Sequence, residues 1–127
     1  MKIQENYFYK LDNSKDVKVI WKKYDKANIL EIGVEYPTAI VDLDRFSGIP
    51  ITEKWLKDFD YIIVETNKCV EAFKNNFRYS IQQVENSNHW FWCDGETVIT
   101  NLEFIHELQD LYFALSREDL VFSNAVS

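Results

Sequence analysis

The stretch HWFWCDGETVITNLEFIHELQDLYFAL, residues 89–115, decides the fold class. Its first half reads as a hairpin. His89 to Cys93 is aromatic-rich, Asp94-Gly95 is a strong two-residue turn signal, and Glu96 to Ile99 returns as the partner strand. Its second half changes period. Leu102, Ile105, Leu108, Tyr112 and Leu115 follow helical spacing, as do Phe104, Leu108, Leu111 and Leu115. Thr100 and Glu103 have capping-box spacing, and Ile99 with Phe104 have staple spacing. The reading is a helix over about 101–115 whose wide apolar face packs across a sheet, ended by Ser116-Arg117-Glu118-Asp119. A hairpin followed by a sheet-covering helix is an α+β arrangement.

Working outward, Phe77 to Val84 alternates and reads as a strand, so the hairpin region runs over about 77–99, with a turn at Asn86-Ser87-Asn88. Tyr61 to Val64 is a short apolar strand. Lys68 to Asn75 reads as a brief helix, because Cys69, Val70 and Phe73 share a helical face. Upstream, Gly48-Ile49-Pro50 breaks the chain. Thr52 is a good N-cap for a helix over about 52–59, with Ile51 and Leu56 as staple and Trp55, Leu56 and Phe59 facing the core.

Residues 5–45 read as a β-meander. Tyr7-Phe8-Tyr9 is a strand ended by Asp12-Asn13-Ser14 turn chemistry. Val17 to Tyr24 puts Val17, Val19 and Trp21 on one face. Asp25-Lys26-Ala27-Asn28 reads as a turn, Ile29 to Val34 as a strand with Leu30, Ile32 and Val34 in register, and Ala39 to Leu43 as a further strand. The expected architecture is one α+β domain over 1–127: an antiparallel sheet of several short strands, a short central helix and a capped C-terminal helix on the sheet. Residues from Ser123 on read as frayed.

The composition sets limits. A chain of 127 residues, 46% hydrophobic and rich in aromatics, can build a core without a metal or disulfide staple. Cys69 and Cys93 form no CxxC pair and read as reduced thiols. The N-terminal residues lack the apolar core of a secretory signal, and no apolar run approaches a membrane span. The expected location is the cytoplasm, with no membrane association.

The net charge is −7, from 14 basic and 21 acidic residues. Residues 1–60 carry 10 Lys/Arg and 11 Asp/Glu, hence −1, and residues 61–127 carry 4 and 10, hence −6. An acidic chain is repelled by a phosphate backbone unless a local basic patch intervenes. The basic cluster Lys18, Lys22, Lys23 and Lys26 is interrupted by Asp16 and Asp25. Direct nucleic-acid binding is therefore disfavoured, and a basic partner surface is favoured.

Candidate chemistry was weighed residue by residue. Asp42 and Asp44, two apart in a strand, would project from one face and could hold Mg²⁺ in a nuclease, but no third acid accompanies them. A half-buried strand is the preferred reading. His89 and His106 have no partner at metal or triad spacing. Trp90 and Trp92 share one face of a strand. They read as core beneath the helix or, alternatively, as anchors of a protein interface. Glu103, Glu107 and Asp110 form an acidic stripe at i, i+4, i+7, extended by Glu118 and Asp119. It is either a solvated helix face or a surface that meets a basic channel. No catalytic set, metal site or cofactor is expected.

Two blocks resemble a known group. Residues 48–56, Gly-Ile-Pro-Ile-Thr-Glu-Lys-Trp-Leu, are similar to the "IPLTEEWL" block of small proteins encoded in Bacteroidota phages and prophages. Residues 104–115 are similar to their "YVHQLQNLYFAL" block, and Arg117-Glu118-Asp119-Leu120 stands where they have "GEEL". Together the blocks cover about a quarter of the chain. Glu107 and Asp110 stand where those proteins have Gln and Asn, which makes this helix more acidic. The resemblance carries over no catalytic residue. It implies a phage accessory protein inside a bacterial cell, and such proteins often act by binding host machinery. The leading expectation is a non-enzymatic, anti-CRISPR-like inhibitor of an RNA-guided effector. Its partner would be a host protein or ribonucleoprotein, met by Glu103, Glu107, Asp110, Glu118, Asp119 and the indoles of Trp90 and Trp92. The alternative is an accessory protein of phage replication or recombination that binds nucleic acid or a replisome component.

Overall fold

The computed structural model describes residues 1–37, 39–66, 69–84, 87 and 89–123. Strands β1 (Phe8–Leu11), β2 (Lys15–Lys23), β3 (Lys26–Glu31), β4 (Ala39–Asp42) and β5 (Phe46–Ser47) make a first antiparallel sheet in the order β4-β3-β2-β1-β5. Helix α1 (Glu53–Asp58) follows. Strands β6 (Ile62–Glu65), β7 (Cys69–Phe73), β8 (Tyr79–Val84), β9 (Trp90–Asp94) and β10 (Thr97–Leu102) form a second antiparallel sheet in sequential order. Helix α2 (Ile105–Ser116) ends the fold. The α+β class holds, with two sheets where one was expected.

Local chemistry explains most boundaries. Asp12 and Asn13 take positive φ between β1 and β2, a conformation their short polar side chains tolerate. Thr52 caps α1 by accepting a hydrogen bond from the Trp55 backbone N–H at 3.3 Å. Ile51, Trp55, Leu56 and Phe59 all enter the core. Gly95, with φ +61, opens the β9–β10 turn, and Asp94 pairs with Thr97.

Several readings are corrected. The expected helix at residues 68–75 is strand β7 from Cys69. Both edges pair, with β6 and β8, and Ala72 and Val70 enter the core from one face. The turn expected at 25–28 is a two-residue loop, Tyr24-Asp25, between paired Lys23 and Lys26. Strand β3 therefore begins earlier and turns Ala27 and Ile29 inward rather than Leu30, Ile32 and Val34. A bulge between Val19 and Trp21 also changes the parity of β2, leaving Val17 and Val19 buried and Trp21 on the surface. The last helix starts at Ile105, because Thr100 and Leu102 pair with Trp92 and Trp90 in β10, and Ile99 is exposed. The Thr100–Glu103 box and the Ile99–Phe104 staple do not form. Instead, the Glu107 carboxylate accepts the backbone N–H groups of Glu103 and Phe104, both at 2.9 Å. Ser123, where fraying is expected to begin, is held by its N–H and hydroxyl, which donate to the Asp58 carbonyl; residues 124–127, like the expected turn positions Asn86 and Asn88, lie outside the described residues.

Two cores result. One fills the concave face of the first sheet with Tyr9, Leu11, Val17, Val19, Ile29 and Phe46. The other lies between the second sheet and both helices, around Leu56, Phe59, Ile81, Trp92, Ile105 and Leu108. Phe8 links them. Tyr9 points into the first core, and Phe8, on the opposite face of the same strand, packs against Trp55, Phe59 and Phe122 at 5.1–5.7 Å between ring centroids.

Candidate functional site

Helix α2 stands between the sheets and shows each a different face. Ile105 and Leu108 enter the second core. Towards the first sheet, the buried Gln109 amide accepts the Phe8 backbone N–H at 2.9 Å and donates to the Asn6 carbonyl at 3.3 Å. His106 stacks between Tyr9 and Phe104, at 5.3 and 5.6 Å, and burial holds its pKa below the ordinary value.

The acidic residues expected along this helix divide by role. Glu107 is turned back into the helix start. Glu103 precedes the helix, and its carbonyl accepts the Ile51 N–H at 3.1 Å. Asp110 accepts hydrogen bonds from Tyr7 Oη at 2.9 Å and Gln4 Nε2 at 3.1 Å. Burial first, then the bond to Asp110 and the charges of Asp110 and Asp119, push the Tyr7 hydroxyl far above its ordinary pKa. Asp110 bonds Tyr7 directly, and the charge of Asp119 acts on it from further away. Glu118 is exposed near Tyr112. The even stripe of the linear reading is in fact a capping carboxylate, Glu107, a mid-helix carboxylate bonded to Tyr7 and Gln4, Asp110, and an exposed pair after the helix, Glu118 and Asp119.

Trp90 and Trp92 are not surface anchors. They are 2% and 1% exposed. Trp90 Nε1 donates to the Ile51 carbonyl at 3.1 Å, and Trp92 stacks on Tyr79 at 5.5 Å. The helices that cover β9 take up the face both indoles share. Asp42 and Asp44 do not pair either. The strand ends at Asp42, which forms an ion pair with Lys26, and Asp44 sits in the 3₁₀ turn Leu43–Arg45. Among the described residues, no group of three or more His, Cys, Asp or Glu side chains could hold a metal ion. The cysteines are free thiols, and burial raises the pKa of Cys93. Among the described residues, no helix is long and apolar enough to cross a membrane.

Beside the acidic group lies a feature absent from the sequence reading, a cleft of about 560 Å³. Phe8, Leu30 and Phe122 line it, Ile32 and Val34 form one wall, and the stretch from Asp119 to Phe122 forms the other. Its residues come from both ends of the chain, so no local pattern announces it.

Residues 49–51 and 103–105 clasp each other. Ile105 N–H donates to the Ile49 carbonyl at 2.8 Å, Ile51 N–H donates to the Glu103 carbonyl, and Pro50 bridges Phe104. A methyl group on Gly48 would stand 2.4 Å from the Phe104 ring. Residues 48–51 and 103–105 therefore pack together at the centre of the fold. No family model, no curated protein and no solved structure matches this chain.

Proposed function

We propose that this protein acts by binding rather than by catalysis. It docks on a basic partner surface through the acidic group at the end of α2, chiefly Asp110, Glu118 and Asp119. One observation carries this reading: exposed Asp119 lines an apolar cleft, on the half of the chain with net charge −6. Concentrated charge beside apolar surface gives steering and contact area together.

The two resemblance blocks support a finer reading. In it the protein is a phage accessory factor, acting in the bacterial cytoplasm as an anti-CRISPR-like inhibitor of an RNA-guided effector. The acidic group would occupy a basic nucleic-acid channel of the effector or its guide complex. A replication or recombination role remains the alternative, but base stacking on Trp90 and Trp92 is removed from it by their burial.

The test is a reconstituted target-cleavage assay with a Bacteroidota effector, adding the protein before or after guide loading. Inhibition by the wild type, weakened at least about tenfold in Glu118→Lys/Asp119→Lys and less salt-sensitive there, is the expected result. No inhibition at any order of addition would reject the effector as partner. Equal inhibition by the charge-reversed variant would reject the acidic surface.

A further inference from the structure

Single exposed apolar residues need no explanation, but a group of them around a preformed hollow does. Val121 is 69% exposed, Val34 39% and Ile32 36%, and all three line the cleft. The floor and one wall of the hollow are held by packing and hydrogen bonds. Its floor, Phe8, is fixed from behind by Trp55 and Phe59. One wall is the end of β3 and the turn after it, where Gly33 takes φ +89. The other wall is pinned by buried Leu120 and by Ser123, whose N–H and hydroxyl both donate to the Asp58 carbonyl, at 2.7 and 2.9 Å. A site organised before binding loses little entropy when it is filled. Its volume lies within the range of roughly 300–1,000 Å³ usual for ligand sites.

The charges around the cleft set the sign of its occupant. Lys18 lies 5.9 Å over the Phe8 ring, inside the lining, where its ammonium can donate to a backbone carbonyl. Glu31 is tied to Lys15 at 3.2 Å. Glu35 and Asp119, both in the lining, are exposed and enter no ion pair among the described residues. The interior is thus apolar and the mouth acidic. Building on the basic-partner reading above, we infer that the cleft between the end of β3 and the Asp119–Phe122 stretch receives an apolar segment of a partner protein flanked by Lys or Arg. The apolar side chains fill the space over Phe8 and Phe122, and the cations meet Asp119 and Glu35.

Fluorescence anisotropy with labelled short peptides tests this. The probes alternate Leu with Arg, Ser with Arg, or Leu with Glu. The Leu–Arg peptide is expected to bind the intact protein. Val34→Ser/Val121→Ser and Glu35→Lys/Asp119→Lys should each weaken it about tenfold or more. Ile40→Ser, on the exposed surface of β4, should leave it unchanged, and unaltered denaturation midpoints will show that the variants fold. Equal binding of the Ser–Arg peptide, or indifference to the Val double variant, would overturn the cleft while leaving a basic partner in place. Binding of the Leu–Glu peptide alone would overturn both readings, because Lys18 would then set the sign.

Discussion

At the scale of single residues, the side chains that matter most are those held by two parts of the chain at once. His106 is the sharpest case. Burial keeps its folded pKa below the ordinary value of about 6.5, and the nearby carboxylates of Glu107 and Asp110 offset this only in part. The unfolded chain therefore takes up the proton first. The stability this histidine contributes is full above about pH 6.5 and is lost as pH falls through the folded value. Urea denaturation should show the wild type weakening between neutral and mildly acidic pH, with a shallower decline in His106→Phe, which keeps the aromatic stack. Parallel pH profiles would remove His106 as the cause. Gly48 has no room to spare. Gly48→Ala forces a methyl group into the base of the Phe104 ring and should cost about 1–3 kcal/mol, read from the denaturation midpoint. Gly48→Ala/Phe104→Ala should recover part of the overpacking component.

At the scale of elements, α2 depends on Gln109 as much as on its leucines. Gln109→Leu would leave the buried Phe8 N–H without an acceptor and should cost roughly 1–3 kcal/mol. A variant as stable as the wild type would show that water replaces the amide. Such a clamp is hard to read in sequence, because a glutamine between Leu108 and Asp110 looks like an ordinary polar position. What was legible had local causes. The β9–β10 hairpin follows from Asp94-Gly95, and α1 follows from Thr52 and the spacing of Trp55, Leu56 and Phe59. What failed was decided by partners elsewhere. The bulge at β2 reversed the expected face of Trp21. Thr100 has a capping residue's chemistry, but Trp92 holds it in a sheet. In β7 only Ala72 is fully buried, and one small residue gives too faint an alternation to displace a helical reading. In the candidate site the acidic residues were legible. Their separate duties were not, since Tyr7 and Gln4 lie more than a hundred residues from Asp110.

At the scale of the whole molecule, Phe8 makes two sheets dependent on each other. Its ring leaves the core of its own sheet and fills the core of the second. Phe8→Ala should therefore cost about 3–5 kcal/mol and also separate the unfolding of the sheets. In the wild type, tryptophan fluorescence and far-ultraviolet circular dichroism should report one shared transition, and in the variant they should diverge. Coincident transitions in the variant would mean that α2 alone couples them. The acidic surface and its cleft depend on the same junction, because Phe8 forms the floor and the Asp119–Phe122 stretch forms a wall. The junction also has a consequence for synthesis. Nearly all strand pairing joins neighbours in sequence, so both sheets can form as the chain emerges from the ribosome. Gln109 and Phe122 emerge after both sheets, so until they are made the Phe8 ring lacks Phe122 beside it and its backbone N–H lacks the Gln109 acceptor. Ribosome-stalled chains halted before residue 104 should be cut by protease near Phe8 faster than stalled chains that have residues 104–123 clear of the ribosome.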